Sequence, residues 1–486
     1  MKSIRKIPSG IEGFDIISLG GIPKNRMTLI SGIPGSGKTI FCAQFLIGGI
    51  QNSNEPGVFV TFEESPEEII TNMQDFNWNI QEHINSGLWK FVDVSPKLED
   101  NFTIRGNYDL SGLILRIKTA IKTINAKRVV LDSIAALFSK YPDTEVIRKE
   151  IVRIKSSLKK LKVTSIITSE QYKEPGNTFY YDVMDFVSDN VILLKNSIFE
   201  EFRRRTIEIF KYRGVPHKKG QNSFTIKKDK GIVIISFERN PNLLNIKRER
   251  STTGIKQLDE LTDGGFFQGS SILLSGETGS GKTLFSLSML DGSLEKGDRC
   301  MMINLEESRE QILQKARNWN IDLEHFEKQE LFQLKCMYPE SYGIEDFIVD
   351  IKESMEIFNP DRVYIDSISA LERITTPLTF RESLINLFLS SRERNIIAIF
   401  TTTAPTFSGL MVNSKIHIST LSDAIILLRY FEREGKMTRA LGIMKLRGSN
   451  HSKWFTEYSI DDSGINILEP IKKNTGVFTS LKTRDI

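Results

Sequence analysis

Gly32-Ile33-Pro34-Gly35-Ser36-Gly37-Lys38-Thr39 and Gly276-Glu277-Thr278-Gly279-Ser280-Gly281-Lys282-Thr283 are two copies of one loop, and their reading decides the fold. Each satisfies G-x-x-x-x-G-K-[ST]. In that pattern the glycines let successive backbone N–H groups converge in one concavity, the lysine reaches the β- and γ-phosphates, and the threonine hydroxyl ligates Mg2+. An apolar run precedes each loop (Met27 to Ile30; Ile272 to Leu274) and a helix-like stretch follows (Ile40 to Phe45; Leu284 to Leu287), so the helix dipole also favours phosphate. Both flanks are rare in a chance match, and rarer still twice. The chain is therefore expected to bind ATP with Mg2+ at two places. The candidate contacts are Gly35, Ser36, Gly37, Lys38, Thr39 and Ile40 in the first copy, and Thr278, Gly279, Ser280, Gly281, Lys282, Thr283 and Leu284 in the second.

The duplication extends outward from the loops. Ser9-Gly10-Ile11-Glu12-Gly13-Phe14-Asp15 recurs as Thr253-Gly254-Ile255-Lys256-Gln257-Leu258-Asp259, and Gly32 and Gly276 set the same offset of 244 (276 − 32). Phe62-Glu63-Glu64-Ser65 answers to Leu305-Glu306-Glu307-Ser308, and Val129 to Ser133 answers to Val363 to Ser367. Lys211-Tyr212-Arg213-Gly214 answers to Lys445-Leu446-Arg447-Gly448, by which point the offset is 234 (445 − 211). Two lobes of one fold are expected, residues 1–238 and 252–470, with a linker at 239–251 and a short tail at 471–486. Short β-branched runs such as Val58 to Thr61, Val129 to Leu131, Ser165 to Thr168 and Asn190 to Leu194 alternate with longer helix-like segments such as Val146 to Leu161. That alternation means an α/β fold, a mostly parallel sheet flanked by helices, with ligands at the carboxyl ends of the strands.

Bulk properties exclude several classes. At 486 residues the chain suits two domains, and 65 Lys and Arg against 61 Asp and Glu leave a net charge of +4, without a polyanion-binding tail. The locally basic Arg203-Arg204-Arg205 and Lys218-Lys219 read as solvated faces. Cys42, Cys300 and Cys336 stand apart with no C-x-x-C spacing, against a zinc site or disulfide framework and for a reducing cytoplasm. Neither a leader nor an apolar stretch of membrane-spanning length is read from the sequence.

Asp132 and Asp366 each end an apolar strand, where a carboxylate holds Mg2+ together with Thr39 or Thr283. Glu63-Glu64 and Glu306-Glu307 end the strand after the loop helix, where a carboxylate can accept the proton of an attacking water or hydroxyl. Adjacent strand residues point to opposite faces, so one glutamate of each pair is the base and its neighbour an orienting or structural partner; Glu63 and Glu306 are the favoured bases. Ser65 with Glu68 also spells a capping box, which can hold at the same time. Late in each lobe come Lys211, Arg213 and His217, then Lys445, Arg447 and His451. Cations aimed at a γ-phosphate are commonly supplied from a neighbouring subunit, so this pattern implies a ring with heterologous interfaces. The two copies differ at one place: Asp185-Phe186 in the first lobe stands opposite Ser419-Thr420 in the second, two adjacent hydroxyls that could receive phosphate.

Phe62-Glu63-Glu64-Ser65-Pro66, Val187-Ser188-Asp189-Asn190, His417-Ile418-Ser419-Thr420 and Lys445-Leu446-Arg447-Gly448-Ser449, in this order, closely resemble the KaiC family of circadian-clock ATPases through nearly the whole chain. The resemblance implies two tandem RecA-like lobes stacked as a double-ring homohexamer, with ATP between neighbouring subunits. It implies a slow ATPase in the first lobe, and in the second an autokinase and autophosphatase acting on Ser419 and Thr420 across the subunit interface. Glu306 would be the base there and also a metal ligand, and Ser414 matches a third hydroxyl position. Nucleotide contacts would fall on Lys211, Arg213 and His217 in the first lobe and on Trp319, Arg439, Lys445, Arg447 and Ser449 in the second; Arg205 stands where the second lobe has Arg439. The segment from Asn474 to Ile486 is shorter than the family tail that recruits KaiA, so KaiA dependence is not expected, whereas a KaiB-like partner on the first lobe is compatible with the sequence. Two other classes stay open. A recombination ATPase would bind DNA with steep salt dependence. A nucleotide-assembled scaffold would form rings with little turnover.

Overall fold

A computed structural model of the chain describes residues 4–95, 110–134, 144–170, 184–199, 202–236, 249–339, 343–403, 418–433, 435–461 and 464–471. Its contacts divide into two compact units, Met1–Glu238 and Arg239–Ile486. Ser414, most of the 239–251 segment and residues 472–486 lie outside the described residues.

Among the described residues of the first unit, nine strands form one sheet in the order Gly231–Ile234, Gln221–Lys227, Phe202–Tyr212, Asn190–Phe199, Met27–Gly32, Thr164–Glu170, Arg128–Asp132, Gly57–Thr61, Trp89–Asp93. The last six of these are mutually parallel and the first three run antiparallel. Successive residues of the parallel strands enter different cores, as alternation on a pleated strand requires. Ile30, Phe59, Val130 and Ile166 pack with Phe41 and Phe45 of the helix Lys38–Ser53. Leu29, Val58, Val129, Leu131 and Ile167 pack with Ile117 and Ile151 of the helices Ser111–Ile124 and Thr144–Lys160. Both faces are therefore covered, and the strands read as nearly unbroken apolar runs.

The second unit repeats this order: Gly464–Pro470, Thr456–Asp461, Lys436–Leu446, Ala424–Arg433, Ser271–Gly276, Ile397–Thr403, Arg362–Asp366, Cys300–Asn304, Phe332–Cys336. Each loop strand lies between two parallel neighbours that come later in sequence, the position at which an open α/β sheet forms its binding crevice. No helix among the described residues is long and apolar enough to cross a membrane.

Two recurring devices tie the entry segments to these sheets. A Cβ added to Gly48, inside the helix that follows the first loop, would lie 2.4 Å from the Cα of Gly10, and one added to Gly292 would lie 2.3 Å from the carbonyl oxygen of Gly254. Only glycine allows so close an approach, which outweighs the ~1 kcal/mol that glycine costs in a helix interior. The second device is a buried arginine at the start of the Asp-bearing strand. Arg128 donates through Nε to Glu55 (2.9 Å), through Nη1 to Phe45 O (2.8 Å) and through Nη2 to Pro8 O (2.9 Å). Arg362 likewise joins Asp298 (2.8 Å), Thr252 O (2.8 Å) and Ser251 Oγ (2.6 Å).

Candidate functional site

In both loops the second and third glycines take left-handed backbone: φ is 74° at Gly35, 93° at Gly37, 79° at Gly279 and 92° at Gly281. These conformations curl the loop at the carboxyl end of its strand and start the following helix at Lys38 or Lys282. Lys38 Nζ donates to Gly32 O (2.9 Å) and Ile33 O (3.1 Å), and Lys282 Nζ to Gly276 O and Glu277 O (both 3.0 Å). Burial pulls the ammonium of Lys38 below its ordinary range, opposed by the charges of Glu170, Asp132 and Glu63. Lys282 is lowered in the same way, opposed by Asp366, Glu306 and Glu277.

The strand-end aspartates stand beside the loop threonines. Thr283 Oγ1 donates to Asp366 Oδ2 at 2.7 Å, and Thr401 donates to the other oxygen. Asp132 is buried and accepts from Thr168. Burial raises its proton affinity, while hydrogen bonds from Thr168 and Thr39 and the charge of Lys38 work the other way. A threonine oxygen and a carboxylate side by side are hard donors that fit a divalent cation such as Mg2+.

The paired glutamates do not end their strands. The strands stop at Thr61 and Asn304, and the glutamates lie on a bend before the helices Pro66–Asn72 and Arg309–Asn318. Strand alternation therefore does not sort them; the bend and their partners do. Thr61 Oγ1 donates to Glu64 O (2.5 Å), and Asn304 Oδ1 accepts from the N–H groups of Glu306 (3.0 Å) and Glu307 (2.6 Å). Glu306 pairs with Arg373 (3.1 Å) and Glu307 with Lys315 (2.6 Å). Ser65 with Glu68 and Ser308 with Gln311 form complete capping boxes. Glu63 is raised above the usual carboxylate range first by burial and then by Glu170 and Asp132, with Lys38 opposing; Glu64 is raised by burial and Asp132.

Glu170 escaped the sequence reading. It ends the strand beside the loop strand and stands level with Gly32. Thr168, two residues earlier and so on the same face, reaches Asp132. The second lobe has Thr403 at this place, level with Gly276. The signal was available in the duplication, but only once strand register was known.

The late cations lie elsewhere. Asn190 pairs with Thr28 and with Tyr212, so Lys211 and Arg213 sit at the amino edge of the sheet, whereas the phosphate loop leaves its carboxyl edge. Lys211 Nζ donates to Asp185 O (2.7 Å) and Ser188 O (2.9 Å), and His217 Nδ1 lies 2.9 Å from Lys218 O. In the second lobe Leu446 pairs with Ala424, which pairs with Ile272. Arg447, one residue on, is therefore about 16 Å down the sheet from Gly276 at ~3.3 Å per residue. Arg447 Nη2 donates to Thr420 O (2.7 Å) and Nη1 to Asp423 (3.4 Å), and Lys445 Nζ donates to Ser422 O (2.6 Å). Ser419 and Thr420, in the short helix Ile418–Leu421, share this edge. Ser449 Oγ contacts Asp263 (3.2 Å), and His451 is lowered by burial and Lys453. Arg439 separates from this group: it pairs with Tyr430, near its own loop, and lies 5.4 Å from that ring's centroid. Arg205 pairs with Asn196 at the matching first-lobe position. Trp319 caps the helix Arg309–Asn318 and packs half-buried on the second core.

A family model described as "ATPase: KaiC" matches the chain twice, over residues 7–239 and 251–472. The circadian clock protein KaiC3 of a Synechocystis species is 44% identical over 474 residues, covering 98% of this chain and 94% of that protein. The circadian clock oscillator protein KaiC of Parathermosynechococcus lividus is 43% identical over 484 residues, covering 100% and 89%. That of Thermostichus vulcanus is 43% identical over 481 residues, covering 99% and 92%. Two phosphate loops on two sheets of one topology, matched from end to end by these relatives, place the chain in the KaiC family of ATPases.

Proposed function

We propose that each lobe binds ATP on its own phosphate loop, that the neighbouring copy of the chain completes each site in a ring, and that the γ-phosphoryl group goes to water in the first lobe and to Ser419 and Thr420 in the second. The observation that carries this reading is the separation of the two edges. Arg447, Lys445 and Thr420 share the amino edge of the sheet whose carboxyl edge bears the second loop, so a chain cannot bring its own acceptor to its own phosphate without dismantling the sheet.

In this reading the loop residues from Gly35 to Ile40 and from Thr278 to Leu284 cradle phosphate, and Thr39 with Asp132, or Thr283 with Asp366 and Glu306, holds Mg2+. That cation neutralises charge on the phosphate oxygens. Glu63 takes a proton from water. Glu306 takes one from the neighbour's Ser419 or Thr420 as the hydroxyl oxygen bonds to γ-phosphorus and the bond to the bridging oxygen breaks, releasing ADP. Lys211, Arg213 and His217, or Lys445, Arg447 and His451, close the site from the next subunit, and Ser414 is a third acceptor position. A clock-type signalling role with a KaiB-like partner on the first lobe is part of the proposal.

Incubating the full-length protein with Mg-ATP and mapping phosphate by mass spectrometry tests it. Glu63→Gln is expected to lower hydrolysis by ~100-fold or more while Ser419 and Thr420 are still labelled, and Glu306→Gln to do the reverse. Hydrolysis with no phosphate on either hydroxyl would refute the kinase half. The carboxylate of Glu170 gives a further expectation. A neighbouring negative charge raises the proton affinity of Glu63, and a base must be deprotonated to act. Glu170→Gln should therefore move the acidic limb of the first-lobe pH–rate profile to lower pH, measured in a Lys282→Ala background that silences the second lobe.

A further inference from the structure

The two phosphate loops are nearly the same in sequence but are held differently. In the second lobe the hydroxyl of Tyr458 donates to Ser280 O at 2.6 Å, and that of Tyr430 donates to Gly279 O at 2.5 Å. Tyr458 is 2% exposed and meets Phe285 edge to face, with centroids 5.2 Å apart. Phe285 belongs to the helix that the loop begins, so this ring is fixed on the element it serves. Burial also pushes the Tyr458 hydroxyl above its ordinary range and keeps it a donor.

The first lobe lacks the Tyr458 tether and has only a longer counterpart of the other. Arg439 pairs with both Tyr430 and Tyr458, and its counterpart Arg205 pairs with Asn196 and stands one position beyond the Thr206–Ser223 pair, opposite Phe224. Phe224 carries no hydroxyl. Asn196 Nδ2 reaches Gly35 O only at 3.4 Å, and its Oδ1 has no hydrogen-bond partner.

A trans peptide is planar, with its C=O and N–H pointing in opposite directions. Holding Ser280 O on Tyr458 therefore aims the Gly281 N–H to the opposite side. The preceding peptide is fixed at both of its ends, since Gly279 O is held by Tyr430 while the Ser280 N–H donates to Glu277 O (3.2 Å). A loop ordered before it meets phosphate loses less freedom on binding, and this appears as slower release.

We propose that Tyr458, together with Tyr430, is a positioning residue that preorganises the second phosphate loop, so that the second lobe retains a nucleoside diphosphate or triphosphate longer than the first. This rests on the reading that both loops bind nucleotide. The main difference between the lobes is one oxygen atom at equivalent positions, Tyr458 against Phe224, to which the exchange of Tyr430 for Asn196 adds a shorter hydrogen bond.

The test is stopped-flow release of a fluorescent N-methylanthraniloyl ADP from the full-length protein. Lys38→Ala confines the probe to the second lobe and Lys282→Ala to the first. Tyr458→Phe is expected to speed release from the second lobe about fivefold, the effect of one net hydrogen bond. Its phosphoryl-transfer rate at saturating ATP should change less than twofold. Phe224→Tyr, the reciprocal exchange, should slow release from the first lobe by a similar factor. It decides the matter if Tyr458→Phe melts early, because a merely structural hydroxyl would not transfer its effect to the other lobe. Unchanged release in folded Tyr458→Phe, or in Phe224→Tyr, overturns the inference. Failure of the probe to bind either lobe would instead overturn the reading of both loops as nucleotide sites.

Discussion

Mixing full-length chains that carry Lys282→Ala with chains that carry both Ser419→Ala and Thr420→Ala is expected to place phosphate on Ser419 and Thr420 of the Lys282→Ala chains, although neither variant is labelled alone. The first variant keeps its acceptors and loses the lysine that reaches the phosphates; the second keeps its loop and has nothing to phosphorylate. If the donor edge of one copy serves the acceptor edge of the next, the defects complement. At random mixing of equal amounts about a quarter of the interfaces present an intact loop to an intact acceptor, so labelling should recover to about a quarter of the parent level from a background at least ~100-fold lower. Peptides from the two variants differ in mass at residues 419 and 420, so mass spectrometry identifies the chain that was phosphorylated. Co-assembled mixtures that stay unlabelled, or Lys282→Ala rings that label by themselves, would rule out transfer between subunits.

The second large effect concerns stability. Arg128→Ala and Arg362→Ala are each expected to destabilise their own lobe by about 3–5 kcal/mol, because the first leaves a carboxylate and two backbone carbonyls, and the second a carboxylate, a carbonyl and a serine hydroxyl, without the donor that satisfied them in a buried site. Arg128 has no exposed side-chain surface, and its partner Glu55 is 21% exposed. For a lobe of this size that loss corresponds to a melting transition lower by roughly 10 °C. Hydrogen exchange resolved by peptide should confine the loosening to one lobe, starting at the entry segment around Pro8 or Thr252. Each strand that begins at the arginine ends at Asp132 or Asp366, so nucleotide binding in that lobe should weaken along with its fold. A variant that melts with the parent would mean that the arginine's contacts are replaced by water at little loss.

The phosphate loops, the duplication and the α/β class were legible because each rests on local chemistry: glycine spacing, a lysine and threonine at fixed positions, and apolar runs of strand length. The antiparallel half of each sheet was not. Asn190 to Leu194 reads as one more short parallel strand, yet it continues to Phe199 and returns through Phe202–Tyr212, pairing Arg204 with Ser197 and Arg205 with Asn196. Three successive arginines hide a strand, since only one face of a hairpin near the sheet's edge needs to be apolar, and Ile207 and Ile209 supply it. The register of that hairpin is long-range information. That register and its second-lobe equivalent place Lys211, Arg213, Lys445 and Arg447 at the edge away from the loops, and the separate parallel pairing of the loop strand with Thr164–Glu170 brings Glu170 level with Gly32. The bend carrying Glu63 and Glu64 was misread as strand because Phe62 continues the apolar run for one residue after the ladder has ended.

The two edges of the sheet also give each chain a polarity. Under the proposed transfer between neighbours, a copy offers a phosphate loop on one side and cations with an acceptor on the other, so a two-fold pairing of like edges would leave every site half built, while head-to-tail joining would complete as many sites as there are interfaces. One inactive subunit then impairs two sites, the one on its own loop and the one it should have closed for its neighbour. Damage in such an assembly is dominant, and a minority of defective chains silences more than its share of the ring.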